Sequence, residues 1–302
     1  MKILIIGYGS IGKRHEEVLL ELENIEQIDI VTNQYLSNKR TFKNLEDIQN
    51  LNDYDYFIIA SETNKHYTQL KYLESMLTDK IIFCEKPLFE SQKILKITKN
   101  QVYVGYVLRF HPLLQTLKKL LKDDNILNIN VNCGQYLPTW RAQSDYRDSY
   151  SAKKEEGGGV LLDLSHEIDY TQWLCGKINE IKSYQVKVSD LEISSDDLST
   201  FIAKTDRGII VNLSIDYISK ITYRKIMLNT FNTTYELDFI NNKLVQKDKF
   251  GVEEVFSSSN LERNSMFENM HKSILGTKES VCSYSEALEV MDTISKVQEQ
   301  NR

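Results

Sequence analysis

Two segments of the sequence carry side chains that can accept or donate a proton. The first is Glu85-Lys86-Pro87, which directly follows the apolar run 81–84. Proline disfavours helical geometry in the residue before it and permits a cis peptide bond, so we expect Lys86 to be held in one direction. A solvated surface pair of Glu85 and Lys86 is the alternative interpretation.

The second segment, 157–169, begins with three glycines and contains Asp163 and His166, three positions apart. Residues at this spacing share one face of a helix, so the carboxylate can orient the imidazole. Histidine normally ionises near neutral pH, which suits His166 to general acid–base catalysis. Two structural alternatives remain open: His166 is a core histidine, and Asp163 is a carboxylate that stabilises a helix start.

A third segment is suited to binding phosphate. Gly7-Tyr8-Gly9-Ser10-Ile11-Gly12 follows four apolar residues and opens a helical pattern. In this context the first glycine permits a tight turn, the second lets the backbone approach a pyrophosphate, and the third lets helix and strand pack closely. Ser10 and Ile11 lie at the helix start, where amide groups face phosphate. The pattern predicts a dinucleotide-binding Rossmann domain; a turn without ligand and a methyltransferase are the alternatives.

The residues about twenty positions after the third glycine bear on the choice between NAD and NADP. A Rossmann domain selective for NAD carries an acidic residue there, which binds the ribose 2′-hydroxyl. Here the spacing falls on Thr32 and Asn33, and the basic residues Lys39 and Arg40 follow. We expect either cofactor, NAD or NADP, with a slight preference for NADP that weakens on Arg40→Ala. Ordinary solvated cations are the alternative for Lys39 and Arg40.

Alternating apolar runs and helical patterns predict the elements that position these segments. Strands are expected at 3–6, 28–32, 56–60, 81–84 and 102–106, and helices at 11–22, 45–51, 66–77 and 91–98. This alternation is typical of βαβ units and a parallel sheet. The glycine turn and Glu85-Lys86-Pro87 both follow strands, at the edge of such a sheet where ligands bind.

After a helical stretch at 113–121 the alternation stops. Strands are expected at 126–136, 181–188, 198–205, 209–218, 223–231, 234–239 and 243–247, and helices at 161–174, 262–275 and 285–299. We therefore predict an α/β Rossmann domain over 1–120, and an α+β domain with a large, mainly antiparallel open sheet over 121–302.

Composition excludes several classes of function. A net charge of -6 over 302 residues, without a concentrated basic face, argues against a nucleic-acid partner. No run approaches the roughly 18 apolar residues that span a bilayer, and the start lacks a signal-peptide pattern, so we expect a cytoplasmic protein without a membrane partner. The four cysteines have no metal-type spacing, and no metal site is expected.

Together, the glycine turn, Glu85-Lys86-Pro87 and the segment 157–169 resemble the glucose-fructose oxidoreductase, inositol dehydrogenase and MocA family (Gfo/Idh/MocA) over nearly the whole chain. The resemblance implies an NAD(P)-dependent oxidoreductase that transfers hydride to or from a secondary alcohol of a sugar. It assigns proton transfer and substrate polarisation jointly to Lys86 and His166, with Asp163 orienting one of them. The family usually separates its aspartate and histidine by four positions, whereas here the separation is three.

Two further segments are similar to the family. The segment 60–66 resembles its loop beside the nicotinamide, although Glu62 stands where proline is usual. The resemblance places six residues in the cofactor site: Ser61, Thr63, Asn64, His66, Glu85 and Lys86. The segment 105–112 resembles the exit from the nucleotide domain, where an arginine faces the pocket, and this implies that Arg109 contacts substrate.

The loop before the glycine run predicts the kind of substrate. It contains two aromatic and two basic side chains: Trp140, Arg141, Tyr146 and Arg147. Aromatic faces suit a sugar or base, and guanidinium groups suit a carboxylate or phosphate. We expect an anionic sugar, such as a nucleotide-activated sugar or a sugar acid of surface-glycan biosynthesis. In the alternative, the aromatic rings cover the domain junction and the arginines pair with Asp145 or Asp148.

A different class of function also fits this fold. A non-catalytic sugar or dinucleotide sensor or scaffold is the alternative, because function belongs to sites rather than folds. The presence of both Lys86 and His166 favours an enzyme. The exposed face of the second sheet, together with the resemblance, implies a homodimer or homotetramer.

Overall fold

The structure is a computed structural model that describes residues 1–122, 124–140, 145–258 and 261–301. The strands in chain order are β1 (Lys2–Ile6), β2 (Gln27–Val31), β3 (Thr41–Phe42), β4 (Tyr56–Ile59), β5 (Ile81–Cys84), β6 (Gln101–Val104), β7 (Ile126–Gly134), β8 (Ile178–Val186), β9 (Leu198–Thr205), β10 (Ile210–Asp216), β11 (Tyr223–Thr230), β12 (Thr233–Asp238), β13 (Lys243–Asp248), β14 (Glu253–Ser257) and β15 (Cys282–Ser283). The α-helices are α1 (Ser10–Leu20), α2 (Thr63–Met76), α3 (Pro112–Leu120), α4 (Val160–Asp163), α5 (His166–Cys175), α6 (Arg263–Leu275) and α7 (Tyr284–Gln300).

The chain divides into two compact units. The first unit comprises Met1–Phe110 and Glu262–Leu288, and the second comprises His111–Leu261 and Glu289–Arg302. This division differs from the sequence-based one, which assigned everything after residue 120 to the second domain. The later segment belongs to the first unit because α6 buries Phe267 and Met270 in its core and β15 pairs with β6.

The first unit is built on a seven-stranded sheet in the order β15-β6-β5-β4-β1-β2-β3. Its pairs are parallel except that of β15 with β6. The central strands β1 and β4 are apolar and almost wholly buried, which is typical of a parallel sheet covered on both faces. The prediction of a Rossmann domain is confirmed.

Two predicted helices of this unit are wrong. The segment 91–98 contains no helix, and 45–51 forms only two short 3-10 turns. The first segment stays extended because side chains satisfy its backbone: Tyr284 bonds both backbone groups of Leu95, and Glu74 accepts the N–H groups of Thr98 and Lys99. These bonds replace the ones that a helix would make internally.

The second unit is built on an eight-stranded sheet in the order β14-β13-β12-β11-β7-β10-β9-β8. Among the described strands of this sheet, only the pair β7–β10 is parallel, which confirms a mainly antiparallel sheet. One face carries buried side chains such as Ile129, Val131 and Leu213, and α3, α4 and α5 pack against the sheet.

The other face of this sheet is open. Its cross-strand register places Ile202, Asn212, Asn130 and Met227 in one row. Ile202 and Met227 are exposed at the two ends of the row, and Asn212 donates a side-chain hydrogen bond to Asn130 at 2.9 Å in the middle. The open face is therefore partly apolar and partly an asparagine ladder.

Candidate active site

The glycine turn of the first unit has the geometry of a dinucleotide-binding loop. Gly7 has φ +95°, and a Cβ there would lie 2.6 Å from the backbone of Ser61. A Cβ on Gly12 would lie 2.2 Å from the carbonyl oxygen of Gly7, so helix and turn pack closely. A Cβ on Gly9, by contrast, would have no described atom within 4 Å apart from its chain neighbours. Among the described residues, no side chain forms a cap hydrogen bond to the following helix. A helix start of this kind can bind phosphate.

The loop after β2 approaches this turn through Lys39. The Lys39 ammonium donates to the hydroxyl of Tyr8 at 2.9 Å and forms an ion pair with Glu16. Burial by itself would lower the pKa of Lys39, but the hydrogen bond and charge of Glu16 raise it above its usual value. Thr32 and Asn33 directly follow β2, as the spacing predicted.

Arg40 lies in a different place. Its guanidinium is 3.7 Å from the carboxylate of Asp29 and stacks over Phe42. It lines a cavity together with Lys2 and Gln27, the first residues of β1 and β2. Phosphate groups bind at the opposite, carboxyl edge of such strands. Lys39, beside the glycine turn, is therefore better placed than Arg40 to contact a cofactor phosphate.

The loop after β4 lies beside the glycine turn at this carboxyl edge. Ser61 contacts Gly7 through its backbone, and α2 begins with Thr63 and Asn64. His66 is only 1% exposed, and its ring nitrogens face the carbonyl oxygens of Pro87 at 3.1 Å and Ser61 at 3.1 Å. Burial lowers the pKa of His66. The His66 ring therefore contacts the loops that follow β4 and β5. It affects the site through the positions of these two loops.

Glu85-Lys86-Pro87 extends from β5 at the same edge. The Glu85 N–H donates to the carbonyl of Ile59 at 2.8 Å, which continues the pairing with β4. The Glu85 carboxylate accepts the backbone N–H of Lys86 at 3.1 Å, and Lys86 itself is half-buried. The Lys86–Pro87 peptide bond is cis. The first unit thus brings together the glycine turn, Ser61 and Lys86.

Close contacts in the second unit require its glycine run. A Cβ on Gly158 would lie 2.0 Å from the carbonyl oxygen of Tyr150. Gly159 has φ +122°, and a Cβ there would lie 2.2 Å from the carboxylate of Asp196. That carboxylate accepts the N–H of Leu161 at 3.2 Å at the start of α4. Burial raises the pKa of Asp196.

The predicted single helix over 161–174 is wrong, because α4 ends at Asp163 and α5 begins at His166. The two residues therefore do not share a regular helix face. Asp163 is buried and accepts the hydroxyl of Tyr217 at 2.6 Å, whereas His166 is half-buried. Burial and the charge of Asp163 raise the pKa of Tyr217 well above its usual value, so this tyrosine stays a proton donor to the carboxylate.

Trp140 extends this cluster. Its indole packs edge-on against the ring of Tyr217, with centroids 5.1 Å apart. Tyr217 follows β10, far from Trp140 and Asp163 in sequence, and nothing in its surroundings in the sequence singled it out. Tyr217 thus contacts Trp140 through its ring and the Asp163 carboxylate through its hydroxyl.

Two of the three arginines predicted to contact substrate, Arg109 and Arg147, form ion pairs with carboxylates. Arg109 is 2% exposed and donates to Glu286 at 2.8 Å and to the carbonyl of Val281 at 3.1 Å. Arg147 is paired with Asp145 and with Glu192 at 3.0 Å, and these carboxylates raise its pKa. Pairing of Arg147 with Asp145 is the structural alternative that the sequence left open.

Two other residues of the loop before the glycine run, Tyr146 and Arg141, were also predicted to contact substrate. The Tyr146 hydroxyl accepts the backbone N–H of Glu192 at 3.2 Å. Tyr146 and Arg147 therefore both contact Glu192. Arg141 lies outside the described residues.

Neither a metal centre nor a membrane span appears among the described residues. No group of three or more His, Cys, Asp or Glu side chains in those ranges is arranged to hold a metal ion. Likewise, within the part of the chain that the structure describes, no helix is long and apolar enough to cross a membrane.

Comparison with sequence families covers most of the chain. Residues 1–106 match the profile of the oxidoreductase family with the NAD-binding Rossmann fold. Residues 114–236 match the profile of the GFO/IDH/MocA C-terminal domain. The two matches together include the glycine turn, Glu85-Lys86-Pro87 and the segment 157–169.

Individual relatives match a smaller part of the chain than the family profiles do. The chain is 29% identical over 155 residues to D-xylose dehydrogenase of Paenarthrobacter nicotinovorans, which covers 48% of this chain and 39% of that protein. Matches to the curated relatives span only 35% to 39% of their lengths.

Two solved structures share the fold over almost the whole chain. UDP-N-acetylglucosamine 3-dehydrogenase of Acidithiobacillus ferrooxidans has a TM-score of 0.78 at 15% identity, covering 100% of this chain and 97% of that one. Levoglucosan dehydrogenase in complex with NADH has a TM-score of 0.83 at 14% identity, covering 99% and 96%. At these identities the likeness concerns the fold alone.

Proposed function

The chain belongs to the GFO/IDH/MocA oxidoreductase family, and we propose that it transfers a hydride between NAD(P) and a secondary alcohol of a sugar. The observation that carries this proposal is the carboxyl edge of the first sheet. There, a glycine turn with open space at Gly9 lies beside Ser61, while Glu85 and Lys86 extend from the next strand but one. Relatives named as sugar dehydrogenases support the substrate class.

The residues of the first unit fit a dinucleotide. The uncapped start of α1 offers backbone N–H groups of Ser10 and Ile11 to a pyrophosphate, and Gly9 leaves room for its approach. Ser61 borders the same turn, and Thr63 and Asn64 follow it at the start of α2. When bound, the nicotinamide supplies the hydride acceptor or donor, and the protein must bind the alcohol and move its proton.

Proton transfer needs a side chain that can accept the hydroxyl proton of the alcohol. Lys86 in the first unit and His166 in the second are our two candidates, and each can also polarise a sugar oxygen by hydrogen bonding. Asp163, which accepts the hydroxyl of Tyr217, has the role of orienting one of these two side chains in our proposal. Glu85 and His66 position the loop of Lys86 rather than react.

A panel of ligands tests this function. Protein is mixed with NADH or NADPH and nicotinamide fluorescence is followed, and turnover is then measured with neutral sugars, sugar acids and nucleotide sugars. We expect saturable cofactor binding and turnover of at least one sugar. Tight cofactor binding without turnover of any sugar would instead support a non-catalytic sensor or scaffold.

We propose further that the sugar is anionic, as in a nucleotide-activated sugar or a sugar acid. The support is the basic and aromatic loop before the glycine run, together with the shared fold of a UDP-sugar dehydrogenase. Since Arg109 and Arg147 are paired with carboxylates, Arg141 is the arginine of that loop to test. Arg141→Ala should raise KM for an anionic sugar about tenfold or more, with Arg147→Ala as the matched control. Equal effects on a neutral sugar would contradict this.

The open face of the second sheet supports a homodimer or homotetramer. Exposed apolar side chains lie on that face: Tyr184 and Ile202 on the adjacent strands β8 and β9, and Met227 on β11 beyond the asparagine pair. Exposed apolar surface favours association. Light scattering after size-exclusion chromatography should give a mass of two or four chains, and Met227→Glu should lower it.

A further inference from the structure

Three buried polar side chains of the first unit that the proposed function does not use form a line that ends at Glu85. Tyr56 on β4 lies 2.9 Å through its hydroxyl from Nδ1 of His271 on α6. Nε2 of His271 lies 2.8 Å from Nδ1 of His15 on α1. Nε2 of His15 lies 2.9 Å from Oε1 of Glu85. Tyr56, His271 and His15 are all 0% exposed.

An ionised carboxylate can only accept hydrogen bonds, and a neutral imidazole has one donor and one acceptor nitrogen. With Glu85 as a carboxylate and both rings neutral, the bonds of this line have one direction. Nε2–H of His15 donates to Glu85, Nε2–H of His271 donates to Nδ1 of His15, and the Tyr56 hydroxyl donates to Nδ1 of His271. In this arrangement both histidines are Nε2–H tautomers.

The surroundings of the line are largely apolar, and they disfavour charge on His271 and Tyr56. The ring of His15 packs edge-on against Phe83 and Phe267, with centroids 5.0 Å and 5.6 Å away. Burial and the neighbouring His15 lower the pKa of His271 well below its usual value. Two adjacent buried imidazolium ions are unfavourable, and the tyrosine keeps its proton because burial raises its pKa.

The line ends at the residue that holds Lys86. Oε1 of Glu85 accepts from His15, and Oε2 accepts the backbone N–H of Lys86 at 3.1 Å. The carboxylate lies close to Gly105, where a Cβ would be 3.0 Å from Oε1. A change in the donor at His15 therefore reaches the Lys86 backbone through the Glu85 carboxylate.

We propose that Tyr56, His271 and His15 form a one-way hydrogen-bond relay that fixes Glu85 and, through it, positions Lys86 for catalysis. His15 and His271 are positioning residues under this proposal, which rests on the proposed role of Lys86. A chain of fully satisfied buried hydrogen bonds gives such rigidity, and a single reversed member would place two donors or two acceptors together.

Matched variants at His271 separate this role from simple packing. In His271→Gln, the amide oxygen can accept from Tyr56 and the amide N–H can donate to His15, so the order of donors is kept. His271→Leu has similar bulk and neither group. If the relay positions Lys86, the leucine variant lowers kcat about tenfold or more with NAD affinity within about twofold, and the glutamine variant restores most of kcat.

Nuclear magnetic resonance gives a readout that needs no substrate. In the wild-type protein, ¹⁵N shifts of both imidazoles should report Nε2–H tautomers, and the Lys86 amide proton should lie downfield as a donor to a carboxylate. His271→Leu should move that amide proton upfield, and His271→Gln should not. An Nδ1–H tautomer in either ring, or equal behaviour of the two variants, would overturn the relay. If the wild type turns over no sugar, the proposed function fails while these spectra still decide the relay.

Discussion

Individual side chains at the candidate site are held by groups that come from other strands and helices. Glu85 receives an N–H from His15 and from Lys86, and Asp163 receives the hydroxyl of Tyr217. A carboxylate that accepts hydrogen bonds from fixed donors has a defined position and direction. Such support is what a site for hydride and proton transfer requires, because small displacements reduce rates strongly.

Lys86→Ala should lower turnover about a hundredfold or more, the usual scale for a general acid–base group. NAD(P) affinity and folding should change little, since the Lys86 backbone rather than its side chain holds the Glu85 carboxylate. The exposed Lys71 on α2 gives a matched control, Lys71→Ala. Steady-state kinetics on the active sugar decide, and wild-type turnover in the Lys86 variant would remove it from the catalytic machinery.

Cofactor preference should depend on Lys39 rather than Arg40. We propose that NADP is accepted at least as well as NAD, because Thr32 and Asn33 replace the acidic residue and Lys39 lies beside Tyr8 of the glycine turn. Lys39→Ala should weaken NADP binding about tenfold and leave NAD binding nearly unchanged. Arg40→Ala, which alters a cation at the other end of β2, should affect neither.

Fluorescence titration of both variants with NADH and NADPH measures the difference. The proposal fails if wild-type protein prefers NAD by tenfold or more. It also fails if the Arg40 variant, and not the Lys39 variant, loses NADP affinity.

At the scale of elements, side chains from neighbouring helices decide where regular structure stops. The segment 91–98 carries a helical pattern but stays extended, because Glu74 of α2 and Tyr284 of α7 bond its backbone. Likewise, the break between α4 and α5 separates Asp163 from His166, and each residue takes its place from a different helix end. Element boundaries at the site thus depend on long-range contacts.

Glu74 gives this argument a pH dependence. Burial by itself would raise the pKa of its carboxyl, but hydrogen bonds from Thr98, Asn100 and Lys99 lower it below the usual 4.5. A carboxyl with a lowered pKa stabilises the fold above its ordinary pKa, and this stability is lost as the pH falls through the folded value.

We therefore expect Glu74→Gln to lower the free energy of unfolding by about 1 to 3 kcal/mol at pH 7. The glutamine amide would face the donating Asn100 side chain. The difference from wild type should shrink as the pH falls below 4.5, the usual glutamate value. Urea denaturation at pH 7 and pH 3.5 measures both numbers, and an equal difference at the two pH values would contradict the assignment.

At the scale of the whole molecule, the chain does not divide at a single point. Residues 262–288 belong to the first unit, and their helix α6 contributes Phe267, Met270 and Ile274 to its core. Each of these buried apolar side chains is worth roughly 2 kcal/mol or more, which is a large part of the stability of a domain of this size. The first unit is therefore complete only when the later segment is present.

A fragment of residues 1–110 should consequently fail to fold cooperatively. Joining residues 262–288 to it through a flexible linker should restore a cooperative transition and NAD(P) binding. Circular dichroism during thermal denaturation and cofactor titration compare the two fragments. A cooperatively folded, cofactor-binding fragment of 1–110 would show that α6 is dispensable.

The sequence by itself determined the family, the two kinds of sheet and the chemical segments. Local patterns carry this information: the alternation of apolar runs predicts the parallel sheet, and glycines at fixed spacing after a strand predict the dinucleotide turn. Gly7, Gly9 and Gly12 each have the backbone geometry or contact that the pattern requires. Glu85-Lys86-Pro87 likewise lies at the strand edge where its position in the sequence placed it.

Only the tertiary structure decided which side chains have partners. Arg109 pairs with Glu286, 177 positions away, and Arg147 pairs with Glu192, 45 positions away. His15 and His271 meet although 256 positions separate them. Periodicity and spacing describe a residue's own segment, whereas hydrogen bonds and ion pairs depend on distances set by packing of remote segments, and no local pattern encodes those distances.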